Sequence, residues 1–299
     1  MIRLAVRVKR AHAEIVLAEL LELAPAGVEE AQVGEDTIEY AVYGAPGELP
    51  GLPALDAVVG DALVEISTSE IADDWHERWK QFHRPVLIPA PPPSSPGGPR
   101  VPALHVRPPW EGASMHGAEG VEEIVIDPGQ AFGTGAHAST RLCLELLLEL
   151  VSSQPMRGAL LDVGTGSGVL AIAAARLGFA PVLGLDNEQE SVEAALENAA
   201  VNSVRIDARR FDLRSQALPW LGETGEQPSA APVMLANLLR PLLLELGATM
   251  PHPPAHLIAG GLLREEVDEV VHAFTARLGL QERERRAEGE WAAVWLYTA

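Results

Sequence analysis

Three short stretches of this chain carry residue types that can hold and use a small molecule. Residues 162–168 read Asp-Val-Gly-Thr-Gly-Ser-Gly, and an aspartate stands at position 186. Gly164, Gly166 and Gly168 let a backbone turn tightly and come close to a ligand. Asp186 follows the glycines by about 20 residues, where a carboxylate can accept hydrogen bonds from both hydroxyls of a ribose. Residues 233–239 read Val-Met-Leu-Ala-Asn-Leu-Leu. Asn237 offers one acceptor and two donors, and its carbonyl could orient an amine nucleophile toward a methyl group. Each stretch has a plainer alternative: a strand–helix turn for the glycines, and helix caps for Asp186 and Asn237.

The surrounding elements must put these groups together. Ala159-Leu160-Leu161 suits a buried strand, and the run from Val169 to Arg176 suits a helix packed on a sheet. Pro181-Val182-Leu183-Gly184-Leu185-Asp186 reads as the next strand, ending in the carboxylate. Strand, glycine loop, helix and strand make a nucleotide-binding βαβ unit. The glycine spacing is G-x-G-x-G. A dinucleotide fingerprint wants its third glycine at 169, which is Val. The loop therefore fits a cofactor without a pyrophosphate, and S-adenosylmethionine is the expected one. Asp186 alone does not choose, because NAD carries the same ribose.

From about residue 116 onward strands and helices alternate, which implies a parallel sheet covered on both faces. Helices are expected over 140–151, 188–200, 241–250 and 265–278. Strands are expected over 159–162, 182–186, 204–206, 233–237, 256–259 and 291–297. In open α/β sheets ligands bind at the carboxyl ends of strands, where Asp162, Asp186 and Asn237 fall. Asp212, after the 204–206 strand, could accept from an adenine amino group. Ahead of the first long helix, residues 127–140 read Asp-Pro-Gly-Gln-Ala-Phe-Gly-Thr-Gly-Ala-His-Ala-Ser-Thr. This is either a capped entry loop or a pliable lid, with Phe132 stacking on the cofactor and Thr140 bonding a polar group. His137 beside it is read as packing.

Residues 1–66 look like a separate small unit. Alternating apolar residues mark strands at 2–8, 38–42 and 63–66, with a weaker one at 28–33. Helical spacing marks 11–23 and 52–59. The order β-α-β-β-α-β is a ferredoxin-like pattern without a catalytic constellation, so binding is its natural role. Residues 67–115 connect, with Trp75 and Trp79 on one helix face and six prolines within 89–99. Val101–Val106 and Glu123–Ile126 read as strands flanking that loop.

The 299 residues give room for two domains, and 47% apolar residues can build real cores. A single cysteine, Cys143, excludes an internal disulfide and fits a reducing compartment. It falls in an apolar helical pattern and is read as packing. No long apolar run marks a signal peptide or a membrane span, so a cytoplasmic location is expected. The net charge of −20 disfavours nucleic acid, whose binding rests on Lys and Arg. It either attracts a basic protein or serves solubility alone. His252 and His256 are four apart, but Pro251, Pro253 and Pro254 forbid the helix that would align them, and no metal is expected.

The motifs together resemble the ribosomal protein L11 methyltransferases. The likeness rests on residues 127–140, the 162–168 loop, Asp186, Ala236-Asn237-Leu238-Leu239, residues 74–82 and Gly289-Glu290-Trp291. The Asp-Pro-Gly-x-Ala-Phe-Gly-Thr-Gly-x-His-x-x-Thr string is the most specific part. The resemblance implies a class I S-adenosylmethionine-dependent methyltransferase with a Rossmann-like mixed sheet over 116–299. It also implies a ferredoxin-like domain over 1–66 that grips ribosomal protein L11, and a linker over 67–115 that swings one domain relative to the other. Thr140, Gly164, Asp186 and Asn237 are implied cofactor contacts. The implied reaction methylates lysine side chains and the N-terminal amine of L11, with a monomer expected. Two departures stand out: Thr165 replaces the commoner Cys, and Leu238 the commoner Ile. The 89–99 and 216–232 segments are expanded. A related enzyme acting on another protein or a small molecule, or a non-catalytic binding module, is the alternative.

Overall fold

The computed structural model describes residues 2–13, 16, 29–34, 36–44, 63–70, 83–92, 100–112, 118–128, 135–153, 157–219 and 233–299. The chain divides into two compact units, 1–82 and 83–299. The segment expected to connect them, 67–115, is thus shared: strand Leu63–Glu70 continues into it from the first unit, and two strands of the second unit lie within it.

In the first unit, β1 (Ile2–Lys9), β2 (Glu29–Gln32), β3 (Thr37–Gly44) and β4 (Leu63–Glu70) form a sheet of order β2-β3-β1-β4. Every pairing in it is antiparallel. Period-two alternation decides its faces: Leu4, Val6 and Val8 are buried with Ile38, Tyr40 and Val42. The Tyr40 hydroxyl donates to Ala13 O at 3.1 Å, satisfying a buried phenol. On the opposite face Arg7 bridges Glu39 and Glu65, each at 2.6 Å, across three strands. The helix expected over 52–59 and most of that over 11–23 lie outside the described residues, as do Trp75 and Trp79.

The second unit holds two sheets. A small one has β5 (Val86–Ile88) antiparallel to β6 (Ala103–Arg107), which runs parallel to β7 (Val121–Val125). The large one contains β8 (Leu160–Val163), β9 (Val182–Asp186), β10 (Asp207–Arg210), β11 (Val233–Asn237), β12 (His256–Leu263), β13 (Gln281–Glu288) and β14 (Trp291–Tyr297). Its order is β10-β9-β8-β11-β12-β14-β13. The first five are parallel, and β14 alone runs against them, pairing antiparallel with β12 on one side and β13 on the other. This is the mixed Rossmann-like sheet that the resemblance implied; the strand–helix alternation alone points to a parallel one, and the antiparallel β14 departs from it. Helices α1 (Ala138–Ser153), α2 (Val169–Arg176), α3 (Gln189–Val201), α4 (Arg240–Thr249) and α5 (Val267–Leu278) connect the strands.

Two apolar clusters sit on the two faces of this sheet. One gathers α1 and α2 with Leu160, Leu235 and Ile258; the other gathers Met234, Leu257, Leu243 and Phe274 from β11, β12, α4 and α5. Strands buried on both sides read as unbroken apolar runs, which is why β8, β9 and β11 were legible. The expected strand at 204–206 is coil, and the strand lies at Asp207–Arg210 instead. An edge strand with one neighbour needs few apolar residues, so Asp-Ala-Arg-Arg pairs with β9 and adds only Ala208 to the apolar core. Strand β13 was not expected, for the same reason: Gln-Glu-Arg-Glu-Arg-Arg-Ala-Glu forms the opposite edge. Its Arg286 reaches Glu145 and Glu149 on α1 at 3.3 and 3.4 Å, and its Glu288 pairs with Arg141.

Helix α1 is apolar almost all round, with Leu144, Leu146, Leu147 and Leu148 fully buried. Leu147→Ala should therefore lower the unfolding free energy by about 2–5 kcal/mol. Urea titration of the two proteins measures the difference, and a loss below about 1 kcal/mol would contradict this packing.

Candidate active site

The strand order of the large sheet reverses between the parallel neighbours β8 and β11, and the crevice at such a switch point is where open α/β sheets take ligands. Three loops converge there. The first leaves β8 at Gly164, whose φ of 76° suits glycine. A Cβ at Gly164 would collide with Leu238 Cδ2 from the loop after β11. The two carboxyl-end loops therefore touch through the Leu238 side chain, and it is the left-handed φ at Gly164 that favours glycine there. The Gly164 and Thr165 amides both donate to Leu185 O, at 2.8 and 3.0 Å, which ties the loop to the end of β9.

Asp186 closes that tie from the other side. Its Oδ2 accepts from the Gly166 amide at 2.9 Å and its Oδ1 from the Glu188 amide at 3.1 Å. Two backbone donors fix the carboxylate's direction, and a carboxylate has about four acceptor positions, so it keeps capacity for a ligand. Asp186 lines a cavity of ≈ 200 Å³ together with Gly164, Asn187, Phe211, Asp212, Leu238 and Leu242. Phe211 donates its amide to Asp186 O at 2.6 Å and is itself nearly buried. An apolar slot next to a fixed carboxylate suits a flat ring joined to a polyol.

Asp212 also faces the cavity, but its carboxylate is engaged locally. Its Oδ1 accepts from the Arg214 amide at 2.9 Å and its Oδ2 from the Ser215 hydroxyl at 2.8 Å. These bonds hold its pKa below the usual aspartate value, the Arg214 amide contributing most. Asp212 thus caps the turn after β10 in addition to any ligand contact.

Asn237 and Thr140 form a second polar pair at the end of β11. Asn237 Nδ2 donates to Thr140 Oγ1 at 3.3 Å, and Thr140 is fully buried. Asn237 Oδ1 is buried without a hydrogen-bond partner among the described residues, which leaves an acceptor to be answered. The pair is held by β12, where Leu238 N donates to Gly260 O at 3.1 Å. Gly261, at φ 77°, lets β12 bulge around this loop: a Cβ there would lie 2.5 Å from Leu238 O. Cys143 packs on Gly260, and burial pushes its thiol pKa up, keeping it a packing group. A second cavity, of ≈ 300 Å³, opens just beyond, walled by Leu239, Pro241, Leu263 and Trp291.

Beneath the glycine loop Asp162 is fully buried. Thr165 Oγ1 donates to its Oδ2 at 2.8 Å, whereas Oδ1 makes no hydrogen bond of ordinary geometry. Burial pushes its pKa up to about 7, Thr165 and the Ala171 amide opposing and the Asp186 charge adding to the rise. His137 lies at the entry to α1 with Nδ1 2.8 Å from Ser139 Oγ and its ring edge-on to Trp291 at 4.6 Å. Burial, aided by Arg141, keeps its pKa below the usual histidine value.

The structure thus gathers Gly164, Asp186 and Asp212 around one cavity, ties Gly166 to it only through its amide on Asp186, and sets Thr140 beside Asn237. Phe132 lies outside the described residues. Phe211, Leu242, Gly260 and Gly261 were not singled out from the sequence. Phe211, just past the true edge strand, and the paired glycines within an apolar run were the available signals. Among the described residues no group of acidic, His and Cys side chains could hold a metal, and no helix is long and apolar enough to cross a membrane.

The chain matches the family model described as ribosomal protein L11 methyltransferase over residues 53–298. A protein of that name from Syntrophotalea carbinolica is 36% identical over 277 residues, covering 90% of this chain and 78% of the relative. One from Chloroflexus aurantiacus is 40% identical over 252 residues, covering 78% and 71%. The crystal structure of a ribosomal protein L11 methylase from Lactobacillus delbrueckii subsp. bulgaricus superposes with a TM-score of 0.53 at 29% identity. That match covers 64% of this chain and 93% of the other.

Two measurements probe the geometry. Gly261→Ala should lower the thermal midpoint and weaken ligand binding together, because the Leu238 carbonyl must move; an unchanged midpoint would contradict the close approach. Asp162 has a folded pKa near 7 against an unfolded value of about 3.9. The folded state therefore binds the proton more tightly, and this group's contribution to stability falls as pH rises between about 4 and 7. Asp162→Asn should flatten that fall, as read from denaturation at pH 4.5 and 7.5; an identical pH profile would show that the carboxyl ionises freely.

Proposed function

The chain belongs to the ribosomal protein L11 methyltransferase family, and from that premise we propose a protein N-methyltransferase that modifies lysine side-chain and N-terminal amines of ribosomal protein L11. The cofactor is S-adenosylmethionine. The single observation that carries the reading is the Asp186 carboxylate, aimed by two backbone amides into a cavity at the sheet's switch point. The residues present fit the cofactor: a ribose acceptor, an apolar slot of Phe211 and Leu238, and an unanswered acceptor on Asn237.

When bound, S-adenosylmethionine supplies an electrophilic methyl on a sulfonium. The chain's contribution is placement, which by itself can account for a large share of a rate. Asp186 holds the ribose, Gly164 and Gly166 let the backbone come close, and Asp212 meets the adenine amino group. Phe132 is proposed to stack on the cofactor and Thr140 to bond a polar group of it. Asn237 orients the incoming amine with its carbonyl. A lysine has a pKa of about 10.4 and must lose a proton first; a low-dielectric pocket near a positive charge disfavours the ammonium form. The apolar wall of Leu239, Pro241, Leu263 and Trp291 suits the aliphatic stem of a lysine. Residues 1–66 are proposed to grip L11, a basic protein drawn to a chain of net charge −20. A monomer acting in the cytoplasm completes the proposal.

Asp186→Ala should weaken S-adenosylmethionine binding by about 1.5–3 kcal/mol through loss of a charged hydrogen bond, and unchanged calorimetry would contradict the ribose role. Asn237→Ala should lower turnover more than cofactor affinity; equal turnover would remove Asn237 from the mechanism. Labelled S-adenosylmethionine incubated with the protein and a ribosomal extract should mark L11. A different labelled band would redirect the substrate, and no label despite cofactor binding would favour a non-catalytic role.

A further inference from the structure

Two buried asparagines lie one turn apart, Asn198 inside α3 and Asn202 just past its end, 3% and 2% exposed. Asparagine is a poor helix former, so a buried one inside α3 needs a reason. Asn202 pairs with the backbone of Val125: its Oδ1 accepts from the amide at 2.8 Å and its Nδ2 donates to the carbonyl at 2.6 Å. Asn198 repeats the arrangement one step along the chain. Its Oδ1 accepts from the Asp127 amide at 2.9 Å and its Nδ2 donates to Asp127 O at 3.3 Å. An amide N–H can only donate, so Oδ1 must face it and Nδ2 is left for carbonyls.

Asn198 differs from Asn202 in one bond. Its Nδ2 also donates to Ser167 O at 2.9 Å, whereas the second bond of Asn202 Nδ2 stays within its helix, to Asn198 O at 2.8 Å. Ser167 lies between Gly166, whose amide points at Asp186, and Gly168, which starts α2. The glycine loop is thus gripped from one side by the Asp186 carboxylate and from the other by the Asn198 amide. The same amide holds Asp127, which opens the chain segment leading to Thr140. One buried side chain joins two separate stretches that carry proposed cofactor contacts.

We propose that Asn198 is a positioning residue for the cofactor: by bonding Ser167 O and the Asp127 backbone at once, it fixes the glycine loop and the 125–127 segment in one arrangement, while Asn202 only anchors the segment. The proposal rests on the cofactor reading above. Calorimetric S-adenosylmethionine affinity and unfolding midpoint, measured on full-length wild type, Asn198→Ala, Asn198→Asp and Asn202→Ala, test it. Asn198→Ala should weaken affinity about tenfold, the effect of one lost buried hydrogen bond. Asn198→Asp, which keeps the acceptor for Asp127 and loses the donor to Ser167, should do the same. Asn202→Ala should lower the midpoint but keep affinity within about twofold. Equal affinities for wild type and Asn198→Ala, or an equal loss in Asn202→Ala, would overturn the proposal. Should neither Asn198 variant fold, hydrogen exchange on the wild type decides: added S-adenosylmethionine should slow the Asp127 amide, and an unaltered rate there would refute the coupling. A wild type that binds no S-adenosylmethionine would instead sink the cofactor reading itself.

Discussion

The contact between Gly164 and Leu238 is the constraint on which the site depends. Two strands that neighbour each other in the sheet, β8 and β11, send their loops apart to helices on opposite sides. A crevice forms where those loops separate, and here the Leu238 side chain lies against Gly164 before they do. The remaining bonds follow from that approach. The glycine loop lies low enough for its amides to reach Leu185 O and Asp186, and Leu238 is pressed onto Gly260. The bulge at Gly261 lets β12 yield to the loop.

The polar groups beneath the crevice are balanced against this tight packing. Asp162 is fully enclosed, and one threonine hydroxyl is its principal partner. A carboxyl in that position resists ionisation, and Asp186 above it adds to the resistance. A cationic ligand would act in the opposite direction on Asp162, so charge in the crevice and protonation below it are linked.

Much of this was legible in the amino acids because the site sits where patterns change. Val233 to Asn237 is an apolar run that stops at a polar residue, and Leu160 to Gly164 stops at a glycine; each stop is a carboxyl end. The 162–168 spacing told a phosphate cradle from a sugar-and-sulfonium site through a single residue, Val169. What escaped the sequence reading was whatever depends on a partner distant in the chain. Asp207–Arg210 and Gln281–Glu288 are strands because a neighbour offers backbone groups, and their own side chains say nothing of it. Gly260 and Gly261 look like weak points in a strand until Leu238 is placed against them. Asn198 and Asn202 were not singled out, and only their partners at 125–127 reveal a buried seam.

Both margins of the large sheet end in strands dense with charge, Asp207, Arg209 and Arg210 at one side and Glu282 to Glu288 at the other. Open margins of this kind are otherwise templates for pairing with foreign chains. Ionic fringes discourage such zippering and leave the sheet its own boundary. A chain cut short before residue 281 would lose the last two strands and bare β12, whose His-Leu-Ile-Ala-Gly-Gly-Leu-Leu sequence lacks any such fringe. Solubility is thus partly written into the final hairpin, far from any chemistry.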